Sequence, residues 1–102
     1  MANYGQGDII SIGGFRYPFL VLSNNAFIRA TKVFHVCPFL PDHQEGPLHI
    51  RITGVKGTEG VAILEQVKLI DPAARRCRMI DRVSYSDIMN VSDALQGMFE
   101  YD

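Results

Sequence analysis

The chain has few cysteines, no long apolar run and almost no excess of either charge. Only Cys37 and Cys77 occur in 102 residues, and they stand far apart with no paired spacing. That excludes a disulfide framework or a cysteine zinc site and predicts reduced, packed thiols in a cytoplasmic protein. No stretch approaches the roughly 20 consecutive apolar residues a membrane helix needs, so no membrane contact is expected. The start, Met-Ala-Asn-Tyr-Gly-Gln-Gly-Asp, has no basic region followed by an apolar one, which predicts no secretory leader. The net charge of -1 gives no global basic field to advertise nucleic acid. Residues 1–60 carry five Lys/Arg against four Asp/Glu, and residues 61–102 carry five against seven. Within the second stretch Arg75, Arg76, Arg78 and Arg82 gather ahead of an acidic end.

An apolar content of 47% argues for a packed globule and against disorder. The length fits a single domain, residues 1–102, with one core. Gly7–Ile12, Pro18–Ser23, Lys32–Cys37, Leu48–Thr53 and Val61–Leu64 read as strands from their branched and aromatic residues and their bounding Gly, Pro and Asn. Pro38 is expected to close the third. Ala26–Thr31 reads as a loop or helical turn, and Cys77–Ile80 as a short last strand. Ser84-Tyr85-Ser86-Asp87 fits a helix cap, and Ile88, Val91, Leu95, Met98 and Phe99 then form one apolar stripe. The expected class is mainly β with a C-terminal helix: a small, strongly bent sheet or barrel with a helix packed on it.

The segment that organises the chain is Gly60–Asp71, Gly-Val-Ala-Ile-Leu-Glu-Gln-Val-Lys-Leu-Ile-Asp. Read as one strand, it puts Ile63, Glu65, Val67 and Leu69 on one face and Leu64, Gln66, Lys68 and Ile70 on the other. A carboxylate in such a strand is costly unless it is paired, hydrogen-bonded or protonated. Glu65 is therefore either a structural anchor or a working acid/base group.

Three segments in order, Gly7-Asp8-Ile9, Pro18-Phe19-Leu20-Val21-Leu22-Ser23-Asn24 and Leu64-Glu65-Gln66-Val67-Lys68-Leu69-Ile70-Asp71, resemble the MazF/PemK/Kid toxins. The tail, Asp81-Arg82-Val83-Ser84 with the helix after it, resembles that family's closing strand and helix. The resemblance implies an SH3-like barrel of the CcdB/MazF type, a homodimer that cuts single-stranded mRNA at short sequences. It implies inhibition by a small antitoxin protein with an acidic disordered tail. The implied chemistry uses no metal or other cofactor: a 2′-hydroxyl attacks the adjacent phosphate, leaving a cyclic phosphate and a 5′-hydroxyl. Such a reaction needs a base, an acid and a cation for the phosphorane charge.

Carried residue by residue, the resemblance points to Glu65 as acid/base and Arg16 as phosphate cation, with Tyr17, Asp42, His43 and Lys68 contacting RNA. Four departures fall near the chemistry. Tyr17 holds the slot before proline where the family has arginine, with Arg16 one place earlier. Leu40 stands where the family has a Thr or Ser hydroxyl. Lys68 replaces a common arginine, keeping the charge but losing the bidentate fork. The loop between the first two strands is short. These departures keep two rivals open: a binding module that retained the fold without catalysis, and a toxin acting on a protein target as CcdB does. The other histidines read as structural, with His35 a hydrogen-bonded core residue and His49 facing solvent.

Overall fold

The structure, a computed structural model, describes residues 3–102. Strand β1 (Asp8–Ile12) is followed by β2 (Phe19–Val21), helix α1 (Asn25–Thr31), β3 (Phe34–Leu40), β4 (His49–Thr53), β5 (Glu59–Ile63), β6 (Lys68–Ile70), β7 (Cys77–Arg82) and helix α2 (Tyr85–Gly97). The strands run antiparallel in the order β4-β5-β3-β2-β1-β7, with β6 also paired to β3. This is the mainly β architecture with a closing helix expected from the sequence.

Two apolar layers explain why the central strands are nearly continuous runs of hydrophobic residues. Alternation sends Ile9, Leu20, Cys37 and Phe39 to one face, where Ile52, Ala62, Leu64 and Val83 join them. Helix α2 covers that layer with buried Val91 and with Ile88, Ala94 and Leu95 at its margin. Ile10, Ile12, Phe19, Val21, Phe34, Val36 and Ile70 fill the opposite layer, closed by Tyr4, Phe15, Tyr17 and Ile28. Cys37 is buried and Cys77 half-buried, both as free thiols, and burial pushes the Cys37 thiol up to about 12. Among the described residues no helix is long and apolar enough to cross a membrane.

The two helices begin on side-chain caps. Asn24 Oδ1 accepts the Phe27 N–H at 2.8 Å, and Lys32 ends α1 in the left-handed region with φ 63°. The segment read as a loop or turn is thus a seven-residue helix. Ser84 Oγ accepts the Asp87 N–H at 3.2 Å, as the Ser-x-x-acid pattern predicts. α2 stops at Gly97, and Phe99 stays 79% exposed.

The ends of the strand order meet through Asp81. Its carboxylate, 1% exposed, crosses from β7 to the turn between β4 and β5. Oδ1 accepts N–H bonds from Lys56 at 2.9 Å and Arg82 at 2.7 Å, and Oδ2 accepts from Lys56 and Thr58, both at 3.1 Å. Val55 N–H adds a 2.8 Å bond to the Arg82 carbonyl. Gly54 fits there because a Cβ would collide with the Asp81 carboxylate. The clamp bends the sheet back on itself.

The third and fifth strands depart from the sequence expectation for one connected reason. β3 does not stop at Pro38 but runs through it to Leu40. Phe39 opposes Ala62 on β5, whereas Phe34 opposes Ile70 on β6, so three extra residues loop out between the two ladders. Pro38 lies at that break, where its missing N–H leaves no ladder bond unmade. Residues 61–70 are therefore two strands and a turn. Gln66 N–H bonds the Ile63 carbonyl at 3.1 Å, and Glu65 sits in this turn. The cost of a carboxylate inside a buried strand does not arise.

Candidate active site

The turn that expels Glu65 from the sheet also delivers it to β4. Leu64 N–H bonds the Leu48 carbonyl at 2.9 Å, drawing the β5–β6 turn against the start of β4. His49, the first residue of β4, then places Nε2 2.9 Å from each oxygen of the Glu65 carboxylate. The side chains are 27% and 44% exposed, so the pair lies open to a ligand. The His49 hydrogen bond is the largest influence holding the Glu65 carboxyl below its ordinary range. The backbone N–H of Glu65 and the charge of His43 act in the same direction. Glu65 is consequently held as an anion: it carries no proton to give, and its pairing with His49 also weakens its hold on one that it accepts.

His43 completes this cluster from the connection between β3 and β4. Its ring meets the His49 ring edge to face, with centroids 4.8 Å apart and planes at 87°. Its Nδ1 lies 3.1 Å from the Gln44 carbonyl oxygen. Asp42, next in the chain, is exposed and makes no hydrogen bond or ion pair among the described residues. His43 thus borders the Glu65–His49 pair, Asp42 precedes it on the exposed connection, and Leu40 offers no polar group.

A second group lies on the connection between β1 and β2. Phe15 and Tyr17 turn inward onto the second apolar layer, with Phe15 4.9 Å and Tyr17 5.2 Å from Phe19 between ring centroids. Arg16 between them is left exposed, with no ion pair among the described residues. Lys68 Nζ and Arg75 Cζ both stand 5.8 Å from the Phe15 ring centroid, within cation–π range. Lys68 opens β6 three residues after Glu65, so the two groups are linked through one short segment. No direct contact joins Arg16 to Glu65 among the described residues.

Reasoning from sequence gave Phe15 no role and placed His49 outside the site, whereas Arg75 belongs to the basic cluster it had noted. His49 alternates with buried positions and was expected to face solvent; it does point outward, but onto a carboxylate. The signal for that pairing was the register of β4 against β5, with His49 opposite Ile63 just before the turn. His35, by contrast, is bonded to Ser23 Oγ at 2.9 Å, as a packed strand histidine should be. Tyr85 is 75% exposed at the start of α2.

Comparison with known proteins agrees with this architecture. The chain superposes on MazE–MazF from Deinococcus radiodurans with a TM-score of 0.83 at 20% identity, covering 100% of both chains. MazF alone from the same organism gives 0.81 at 20% identity, over 96% of this chain and 97% of that one. An endoribonuclease from a mycobacterial species gives 0.80 at 15% identity, over 95% and 91%. No curated protein matches by sequence. The family described as PemK-like, MazF-like toxin of type II toxin–antitoxin system matches residues 6–99. With nearly the whole chain inside that match, the protein belongs to the PemK-like, MazF-like toxin family.

Proposed function

We propose that this protein is an endoribonuclease toxin that cuts single-stranded RNA through attack of a 2′-hydroxyl on its neighbouring phosphate. The observation that carries the reading is the exposed Glu65–His49 pair, in which the carboxylate is kept ionised. An ionised carboxylate at a solvent-open turn suits the base that takes the 2′-hydroxyl proton. His49 orients that carboxylate and offsets its charge. The 2′-oxygen then closes on phosphorus, giving a cyclic phosphate and a free 5′-hydroxyl. Side chains supply the positive charge for the phosphorane: Arg16, exposed and in no ion pair among the described residues, with Lys68 and Arg75 beside Phe15. The half-exposed Tyr17 keeps part of its ring available to a base, and His43, with Asp42 before it in the chain, lines the approach to Glu65.

The wider expectations belong to the same proposal. Relatives of this fold include a MazE–MazF assembly and an endoribonuclease in complex with its cognate antitoxin. The protein acts as a homodimer, and a small antitoxin with an acidic disordered tail restrains it. The exposed Arg16, Lys68 and Arg75 give such a tail its counter-charges.

The test is cleavage of a long mRNA by purified protein in excess chelator, followed by mapping of the cut ends. A cyclic phosphate at the cut and resistance of a substrate carrying one 2′-deoxy residue there are expected. Glu65→Gln keeps the shape but not the base, and should slow cleavage by about 10²–10⁴-fold. Equal background cleavage by both proteins, each folded, would instead favour the binding-module reading that Leu40 and Tyr17 suggest. Cutting of the deoxy substrate would refute the 2′-hydroxyl mechanism.

A further inference from the structure

A base alone leaves the reaction half supplied, because the departing 5′-oxygen also needs a proton. Glu65 cannot give one while it is held ionised, and the Nε2–H of His49 is committed to the Glu65 carboxylate. His43 is differently placed. A carbonyl oxygen only accepts, so the 3.1 Å contact with Gln44 fixes a hydrogen on Nδ1 of His43. Nε2 is then the nitrogen that gains and loses a proton, and no group in the described structure occupies it. The ring is also oriented, edge to face against His49 at 4.8 Å. Acceptor and donor therefore flank one imidazole, with Glu65 at its Nε2 and His43 at its ring. Attack and departure occur at a single phosphorus, and a base and an acid that share one neighbouring imidazole are placed to serve both.

Resting on the ribonuclease reading above, we propose that His43 is the general acid that protonates the 5′-oxygen leaving group. In the step, the 2′-O–H proton passes to Glu65 as the 2′-O–P bond forms. The P–O5′ bond breaks, and the proton on His43 Nε2 moves to O5′. The products are a 2′,3′-cyclic phosphate and a 5′-hydroxyl, with Glu65 protonated and His43 neutral. Exchange with solvent, giving up the Glu65 proton and returning one to His43, resets the site. No oxidant, reductant or further reactant enters. Gln44 acts only through its backbone carbonyl, as the positioning group for the ring.

The test uses the full chain and an oligoribonucleotide containing a mapped cut site, made once with the natural linkage and once with sulfur replacing the bridging 5′-oxygen. A thiolate leaves without needing a proton, so the sulfur substrate bypasses a missing acid. His43→Ala and His43→Gln should cut the natural substrate about 10²–10⁴-fold more slowly than wild type. Both should come within a few-fold of wild type on the sulfur substrate, with unchanged circular dichroism. Glu65→Gln should stay slow on both substrates, because it lacks the base. Either His43 variant remaining equally impaired on both substrates would overturn the assignment, as would near wild-type cleavage of the natural one. If wild type cuts neither substrate nor any RNA, the ribonuclease reading itself falls, and the role of His43 falls with it.

Discussion

Replacing Asp81 with asparagine tests whether the bent sheet is held shut by one carboxylate. The side chain is 1% exposed and accepts three backbone N–H groups, that of Lys56 shared between both oxygens. Asparagine keeps the shape but turns an NH₂ group toward one set of those donors. Stranding a buried donor costs about 1–3 kcal/mol; whichever way the amide turns, the Lys56 N–H keeps the remaining oxygen and one donor, Thr58 or Arg82, loses its acceptor. The expected loss is about 1–3 kcal/mol, a sizeable share of the 5–15 kcal/mol typical of a whole domain. At about 4–8 °C per kcal/mol for a chain of this size, the melting temperature should fall by roughly 5–25 °C. Urea unfolding followed by far-ultraviolet circular dichroism measures it.

The same carboxylate has a pH signature. Burial by itself would raise the Asp81 carboxyl, yet the N–H groups of Lys56, Arg82 and Thr58 bring it from 3.8 down to about 2. A depressed folded value means the stabilisation is present above 3.8 and disappears as pH falls through about 2. Wild type should therefore lose stability over that window, and Asp81→Asn should lose less there. A variant within about 0.5 kcal/mol of wild type, with the same acid limb, would refute the clamp.

Two further substitutions probe the interior and the cation group. Gly60→Ala would place a Cβ 2.5 Å from two ring carbons of fully buried Phe39, which cannot withdraw; a loss of about 1–3 kcal/mol is expected in the same urea assay. Replacing Lys68 and Arg75 together with alanine should weaken RNA binding and flatten the plot of log affinity against log salt by about 1 to 2 in slope, read by fluorescence anisotropy. An unchanged slope would remove these side chains from the RNA path.

The β architecture was legible because both strand faces are buried, so Ile9-Ile10, Phe19-Leu20-Val21 and Val36-Cys37 announce themselves as apolar runs. The cap of α2 was legible because Ser84 and Asp87 act within one turn. Glu65 stood out by its chemistry, but its setting did not. A turn at Gln66 leaves no local mark when the residues on both sides are apolar, and Pro38, which explains the break, is distant in sequence. Asp81 was equally silent, since its donors come from residues 56 and 58. His49 shows the general difficulty: period-2 alternation says which way a side chain points, but not what waits there.

The hairpin of β4 and β5 joins these two stories. Its turn is fastened to β7 by Asp81, while its open end carries His49 and leads into Glu65. A five-residue strand spans roughly 17 Å, and along that span the hairpin acts as a strut with an anchor at one tip and chemistry at the other. Loosening the anchored tip should let the far tip swing, so that an imidazole and a carboxylate now aligned to bond length would drift out of step. A defect far from any nucleotide would then surface as sluggish turnover long before the protein unfolds.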